Sequence, residues 1–130
     1  MMDSELTYFS LNTEEKMKLI NKIKEILSRN AQILLALVFG SFIELDSFRD
    51  IDIAVYMPNF SFKHILHLSV KLENELGIPV DIVPLNELPS KFKYHVLVNG
   101  KIIVEKKRGL YEALLSQALD ELIIMNELRE

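Results

Sequence analysis

The chain has no cysteine, which removes disulfides, thiolate metal sites and a cysteine nucleophile at once. It has no apolar run near the roughly 20 residues a membrane-spanning helix needs, although 49% of its residues are hydrophobic. That apolar share excludes a disordered chain. A basic excess is also missing: 15 Lys and Arg stand against 19 Asp and Glu, for a net charge of -4. No general attraction to nucleic-acid phosphates is expected from such a balance. Met1-Met2-Asp3-Ser4-Glu5 lacks the basic and apolar regions of a secretory signal, so the expected location is the cytoplasm. Repeats, low-complexity tracts and Gly/Ser linkers are absent too. The 130 residues therefore read as one domain, 1–130, long enough to bury about two-thirds of its unfolded surface.

Periodicity supplies the elements. Asn12 and Glu15 frame a capping box, and Met17, Ile20, Ile23 and Ile26 recur at helical spacing, predicting a helix over residues 13–29. Ile33 to Phe39 is a continuous apolar run of strand length, as expected of a strand buried on both faces. Residues 50–57 form a second predicted strand, ended by Pro58-Asn59. Phe62, Ile65, Leu68, Leu72 and Leu76 mark a helix stopped by Gly77 and Pro79. A third strand is expected over residues 80–85 and a short helix over 91–98. A fourth strand follows over residues 101–104 and a last helix over 108–128. The apolar positions of that last helix cover more than one stripe; one can pack on the sheet, and the rest need a partner. The order predicts an α/β (α+β) fold with a mixed sheet of about four strands and helices mainly on one face.

The chemistry lies in three strand ends. Leu37-Val38-Phe39 stops at Gly40-Ser41; eight residues later Asp50-Ile51-Asp52 opens the second strand, and Val80-Asp81-Ile82-Val83 puts a further carboxylate in an apolar strand. Asp50 and Asp52 are two apart, so both project from one face. Carboxylates crowded where burial should exclude them need a compensating cation, and Mg²⁺ is the usual one. In a two-ion site one ion activates the attacking oxygen and the other holds a triphosphate. Asp81 is placed to complete the ligand set and act as base. Gly40 allows close backbone approach to phosphate, and Ser41 offers a hydroxyl and an amide. Arg49, beside the acidic pair, is read either as a phosphate contact or as a surface partner of Asp46 or Glu44. Asp-x-Asp alone also occurs in glycosyltransferases and aspartate-phosphorylating phosphatases. The ordered set of strand, Gly-Ser, Asp-Ile-Asp and a later buried Asp is far more specific.

That set resembles the DNA polymerase β-type nucleotidyltransferase superfamily, and within it the minimal nucleotidyltransferases (MNT). The motifs span residues 37–57 and 80–83, and the predicted element order agrees over most of the chain. The resemblance implies a nucleotidyltransferase fold, ATP as donor, Mg²⁺ as cofactor and Asp50, Asp52 and Asp81 as metal ligands. It also implies Gly40 and Ser41 as the phosphate-binding turn. Stand-alone MNT proteins resemble the antitoxin of HEPN–MNT toxin–antitoxin pairs, in which AMP is added to a tyrosine of a helical HEPN ribonuclease. Two departures stand out: the loop after Gly-Ser is shorter than the family's usual ten residues, and Phe42 occupies the position where an Arg often follows Gly-Ser.

Other residues have plainer readings. Lys91, Lys93, Lys101, Lys106, Lys107 and Arg108 make the last third the most basic. A solvated face is the simpler account; a phosphate contact by Lys91 or Lys93 is the sharper one. His64, His67 and His95 lack carboxylate partners at ligand spacing, and Tyr56, Tyr94 and Tyr111 read as packing residues. Two functions are expected in competition: an enzyme transferring AMP from ATP to a protein hydroxyl, and a non-catalytic module that masks a partner. Either admits a helical HEPN-type partner or a homo-oligomer formed through the last helix.

Overall fold

The structure is a computed structural model and describes residues 8–129; the segment whose composition argued against a secretory signal, residues 1–5, lies outside the described residues. Helix α1, Thr13–Ser28, starts at the expected capping box: Asn12 Oδ1 accepts from the Glu15 amide at 2.8 Å, and Glu15 Oε1 accepts from the Asn12 amide at 2.9 Å. It buries Ile20, Ile23, Ile26 and Leu27, while Met17 stays exposed.

The elements then follow as β1 (Phe9–Ser10, preceding α1), β2 (Leu35–Phe39), the one-turn helix α2 (Ser41–Glu44), β3 (Ser47–Phe48) and β4 (Ile51–Tyr56). After them come α3 (Phe62–Leu76), β5 (Val80–Pro84), a 3-10 turn (Leu85–Glu87), α4 (Ser90–Asn99), β6 (Lys101–Glu105) and α5 (Leu110–Arg129). The expected four-stranded mixed sheet is present in the order β5-β4-β2-β6, with β4 and β5 parallel and the other pairs antiparallel. The parallel pair is joined by α3, the crossover that such a pair needs. Residues 91–98, expected as a short helix, lie within α4.

Both faces of the sheet are covered. Ala36, Val38, Ile51, Ile53, Val55 and Ile82 pack under α1 and α3, while Leu35, Leu37 and Ala54 pack under α4 and α5. Helices thus lie on each side and not mainly on one, because α4 and α5 return over the face opposite α1 and α3. This explains why β2 is apolar at every position: Leu35 through Val38 are fully buried. Among the described residues no helix is long and apolar enough to cross a membrane.

Three elements were invisible in the sequence. Strands β1 and β3 pair through Phe9–Phe48 and Ser10–Ser47, too short for any periodicity to show. Helix α2 is a single turn, held down by Phe42, which is fully buried and meets the Phe48 ring edge-on at 4.8 Å. Lys16 of α1 lies over both rings and donates to the Leu45 carbonyl at 2.7 Å.

Candidate active site

One row of the sheet register assembles the site. Phe39 of β2 pairs with Asp52 of β4, and Asp52 pairs with Asp81 of β5. Two residues further along the strands, on the same face, the row is Leu37, Ala54 and Val83, all in or against the core under α4 and α5. Burial on this face therefore ends within two residues, and two carboxylates stand side by side where the sheet emerges. Asp50 immediately precedes β4, and its charge acts on Asp52. Asp50 and Asp52 are half-buried and Asp81 is exposed.

The electrostatics follow from that placement. The Asp52 carboxyl is pushed up to about 7, first by burial and then by the negative charges of Asp50 and Asp81. A carboxyl so placed gains from any cation that neutralises the group. Among the described residues no three acidic or histidine side chains are gathered closely enough to enclose an ion by themselves. An open set of oxygen donors still suits Mg²⁺, which keeps several waters and takes its remaining ligands from substrate phosphates.

Gly40 closes the site from the β2 side. Its φ is +80°, and a Cβ there would stand 2.5 Å from Asp52 Oδ2, so glycine is required both by backbone conformation and by space. The Gly40 carbonyl accepts from the amides of Ile43 and Glu44 at 3.1 and 3.0 Å, which turns the chain into α2. Ser41 begins that turn, where the first amides have no partner within the helix itself. Ser41, Arg49, Asp50 and Tyr8 line an open cleft of about 450 Å³, with the Arg49 guanidinium 5.8 Å from the centre of the Tyr8 ring.

The structure thus brings Gly40, Ser41, Arg49, Asp50, Asp52 and Asp81 into one region. It does not bring the other candidates there. Lys93 pairs with Glu121 of α5 at 3.5 Å, beside Ser90 Oγ, which donates to the same carboxylate at 2.9 Å. Lys91 lines a separate cavity with Leu122, Met125 and Asn126. His64 and His67 lie on α3, and His95 is engaged by Asn99 at 3.1 Å. The Tyr111 hydroxyl donates to the Leu97 carbonyl at 2.6 Å, and burial pushes its pKa up, as befits a packing residue. Phe42, at the position of the family's arginine, is a core anchor rather than a phosphate contact. Sequence reasoning did not single out Tyr8, or Phe92 of α4, whose ring meets Phe39 edge-on at 5.9 Å. Nothing local distinguishes these aromatics, because only the fold sets them next to the carboxylate row.

A family model described as Polymerase beta, Nucleotidyltransferase matches residues 21–109. Among solved structures, a toxin–antitoxin with AMP-PNP is similar at 25% identity, over 85% of this chain and 91% of that chain, with a TM-score of 0.75. The toxin–antitoxin MntA–HepT is similar at 23% identity, over 87% of this chain and 92% of that chain, with a TM-score of 0.72. A third, the tri-AMPylated Shewanella oneidensis HEPN toxin in complex with MNT antitoxin, is similar at 22% identity, over 88% and 92% of the two chains, with a TM-score of 0.73. Comparison with the curated proteins returns no match.

Proposed function

The chain belongs to the polymerase β nucleotidyltransferase family, and from that premise we propose that it transfers AMP from ATP to a hydroxyl of a partner protein. The acceptor we favour is a tyrosine of a helical HEPN-type toxin, which makes the chain an antitoxin. The observation that carries the reading is the register row itself: Asp52 beside Asp81, with Asp50 two residues away and Gly40 directly against Asp52.

In this reading the triphosphate lies along the Gly40-Ser41 turn, where the absence of a Cβ lets the backbone approach and the Ser41 hydroxyl and amide donate to phosphate oxygens. Arg49, at the cleft wall, contributes positive charge. Asp50, Asp52 and Asp81 would hold Mg²⁺, which supplies charge neutralisation of the triphosphate and of the departing pyrophosphate. The acceptor hydroxyl oxygen forms a bond to the α-phosphorus while the bond from that phosphorus to the bridging oxygen breaks. The hydroxyl proton passes to Asp81, the most accessible of the three carboxylates, and from there to water. Positioning and charge account for most of the catalysis in such a step.

The test is label transfer from ATP labelled at the α-phosphate, with Mg²⁺ and a lysate of the source organism, beside the Asp50→Ala/Asp52→Ala form. A labelled protein band that requires both carboxylates is the expected result. An unlabelled partner that is nevertheless bound and silenced by both forms would replace transfer with masking, a reading that the exposed apolar side chains of α5 also accommodate.

A further inference from the structure

We propose that copies of this chain associate through α5 of one copy lying antiparallel on the outer side of α3 of the next. Both helices carry an apolar stripe that the fold leaves uncovered. On α3, Ile65, Leu68 and Leu72 face the core, whereas Phe62, Leu66 and Val70 are 70, 62 and 48% exposed. On α5, Leu114 and Ala118 are buried, whereas Leu119 and Ile123, one turn apart, are exposed.

The charges beside the two stripes are opposite in sign. From residue 110 to residue 128 every charged residue is acidic: Glu112, Asp120, Glu121 and Glu127. Glu121 is engaged by Ser90 and Lys93, which leaves the other three. The α3 stripe is bordered by Lys63, His64, His67 and Lys71. Of these, His64, His67 and Lys71 line a cavity of about 320 Å³ with Arg29 of α1; Arg29 also pairs with Glu25 at 3.7 Å. The acids of α3 are confined to its C-terminal end, where Glu73 accepts from the Val80 amide at 2.9 Å and Glu75 is exposed.

Helical geometry makes the two faces fit. At about 100° per residue, Phe62, Leu66 and Val70 lead round α3 to Lys63, His67 and Lys71, and Leu119 and Ile123 lead round α5 to Glu127 and Asp120 in the same rotational sense. Antiparallel placement therefore lays apolar on apolar and acid on base. It sets Leu119 against Val70 and Ile123 against Leu66, with Asp120 near Lys71 and Glu127 near Lys63. A two-fold pairing of α5 with another α5 would instead crowd acid against acid. Within one copy the contact is impossible, because α3 and α5 cover opposite faces of the sheet. The interface is thus head-to-tail, which closes into a ring or extends as a chain. The inference concerns α3 and α5 alone and does not depend on the transfer reading.

Sedimentation of the full chain, 15.1 kDa as a monomer, tests it across a dilution series. The expected result is a mass that rises with concentration and falls as salt screens the contact. Lys71→Glu and Asp120→Lys should each weaken association about tenfold, since each sets like charges together. The double variant Lys71→Glu/Asp120→Lys should recover it, with circular dichroism confirming that all forms are folded. A chain that stays monomeric at every concentration overturns the proposal. So does association that ignores either single change, or a double variant no better than its parents.

Discussion

Gly40 and Asp52 define each other. With φ at +80° and Asp52 Oδ2 2.5 Å from where a Cβ would sit, Gly40→Ala must strain the turn and push the carboxylate aside. The strain alone is worth about 1–3 kcal/mol. We expect a melting temperature lowered by several degrees and label transfer reduced far more than stability, read by thermal unfolding and by the transfer assay. Asp52 makes a separate prediction. Its pKa is raised from 3.8 to about 7, so between those values the folded state holds a proton that the unfolded state has released. Stability of the metal-free protein therefore falls as pH rises from about 4 to about 7. Solvent screening at this half-exposed carboxyl leaves about 1–2 kcal/mol of the effect. Asp52→Asn should flatten that slope in thermal melts across the window. Added Mg²⁺ at pH 8 should raise the melting temperature of the parent and leave the variant nearly unchanged.

At the scale of elements, α1 is the most locally specified part of the chain. Asn12→Ala removes one half of its capping box and should cost about 1 kcal/mol, with transfer activity intact, as urea unfolding beside the assay would show. Helix α2 is the opposite case. Four residues cannot hold a helix by themselves, and this one exists because Phe42 is anchored among Phe48 and Lys16. Phe42→Ala should cost about 3–5 kcal/mol and loosen the Gly40-Ser41 turn, raising KM for ATP in whatever folded protein remains. The longer elements were legible because helices and strands imprint periods of 3.6 and 2 on the sequence. Strands β1 and β3 and helix α2 were not, since two to four residues cannot display a period.

For the whole molecule, the candidate site is a product of pairing. Asp50 and Asp52 were legible as a pair because two-residue spacing on a strand is a local fact. That Asp81 lies beside Asp52 rests on a parallel pairing across α3, and that Gly40 touches Asp52 rests on the antiparallel pairing of β2 with β4. Lys93 shows the limit from the other side: nothing near it in sequence announces Glu121, 28 residues away. The sequence by itself determined the order and type of the main elements, the carboxylates and the Gly-Ser turn, because hydrophobic periodicity, caps and glycine requirements act over a few residues. Only the tertiary structure decided which helices cover each face of the sheet, that Phe42 is an anchor, and which charged groups meet at the open end of the sheet. Those outcomes depend on register between strands and on helices returning from distant parts of the chain, where the free energy belongs to pairs of elements and no single stretch carries its signature.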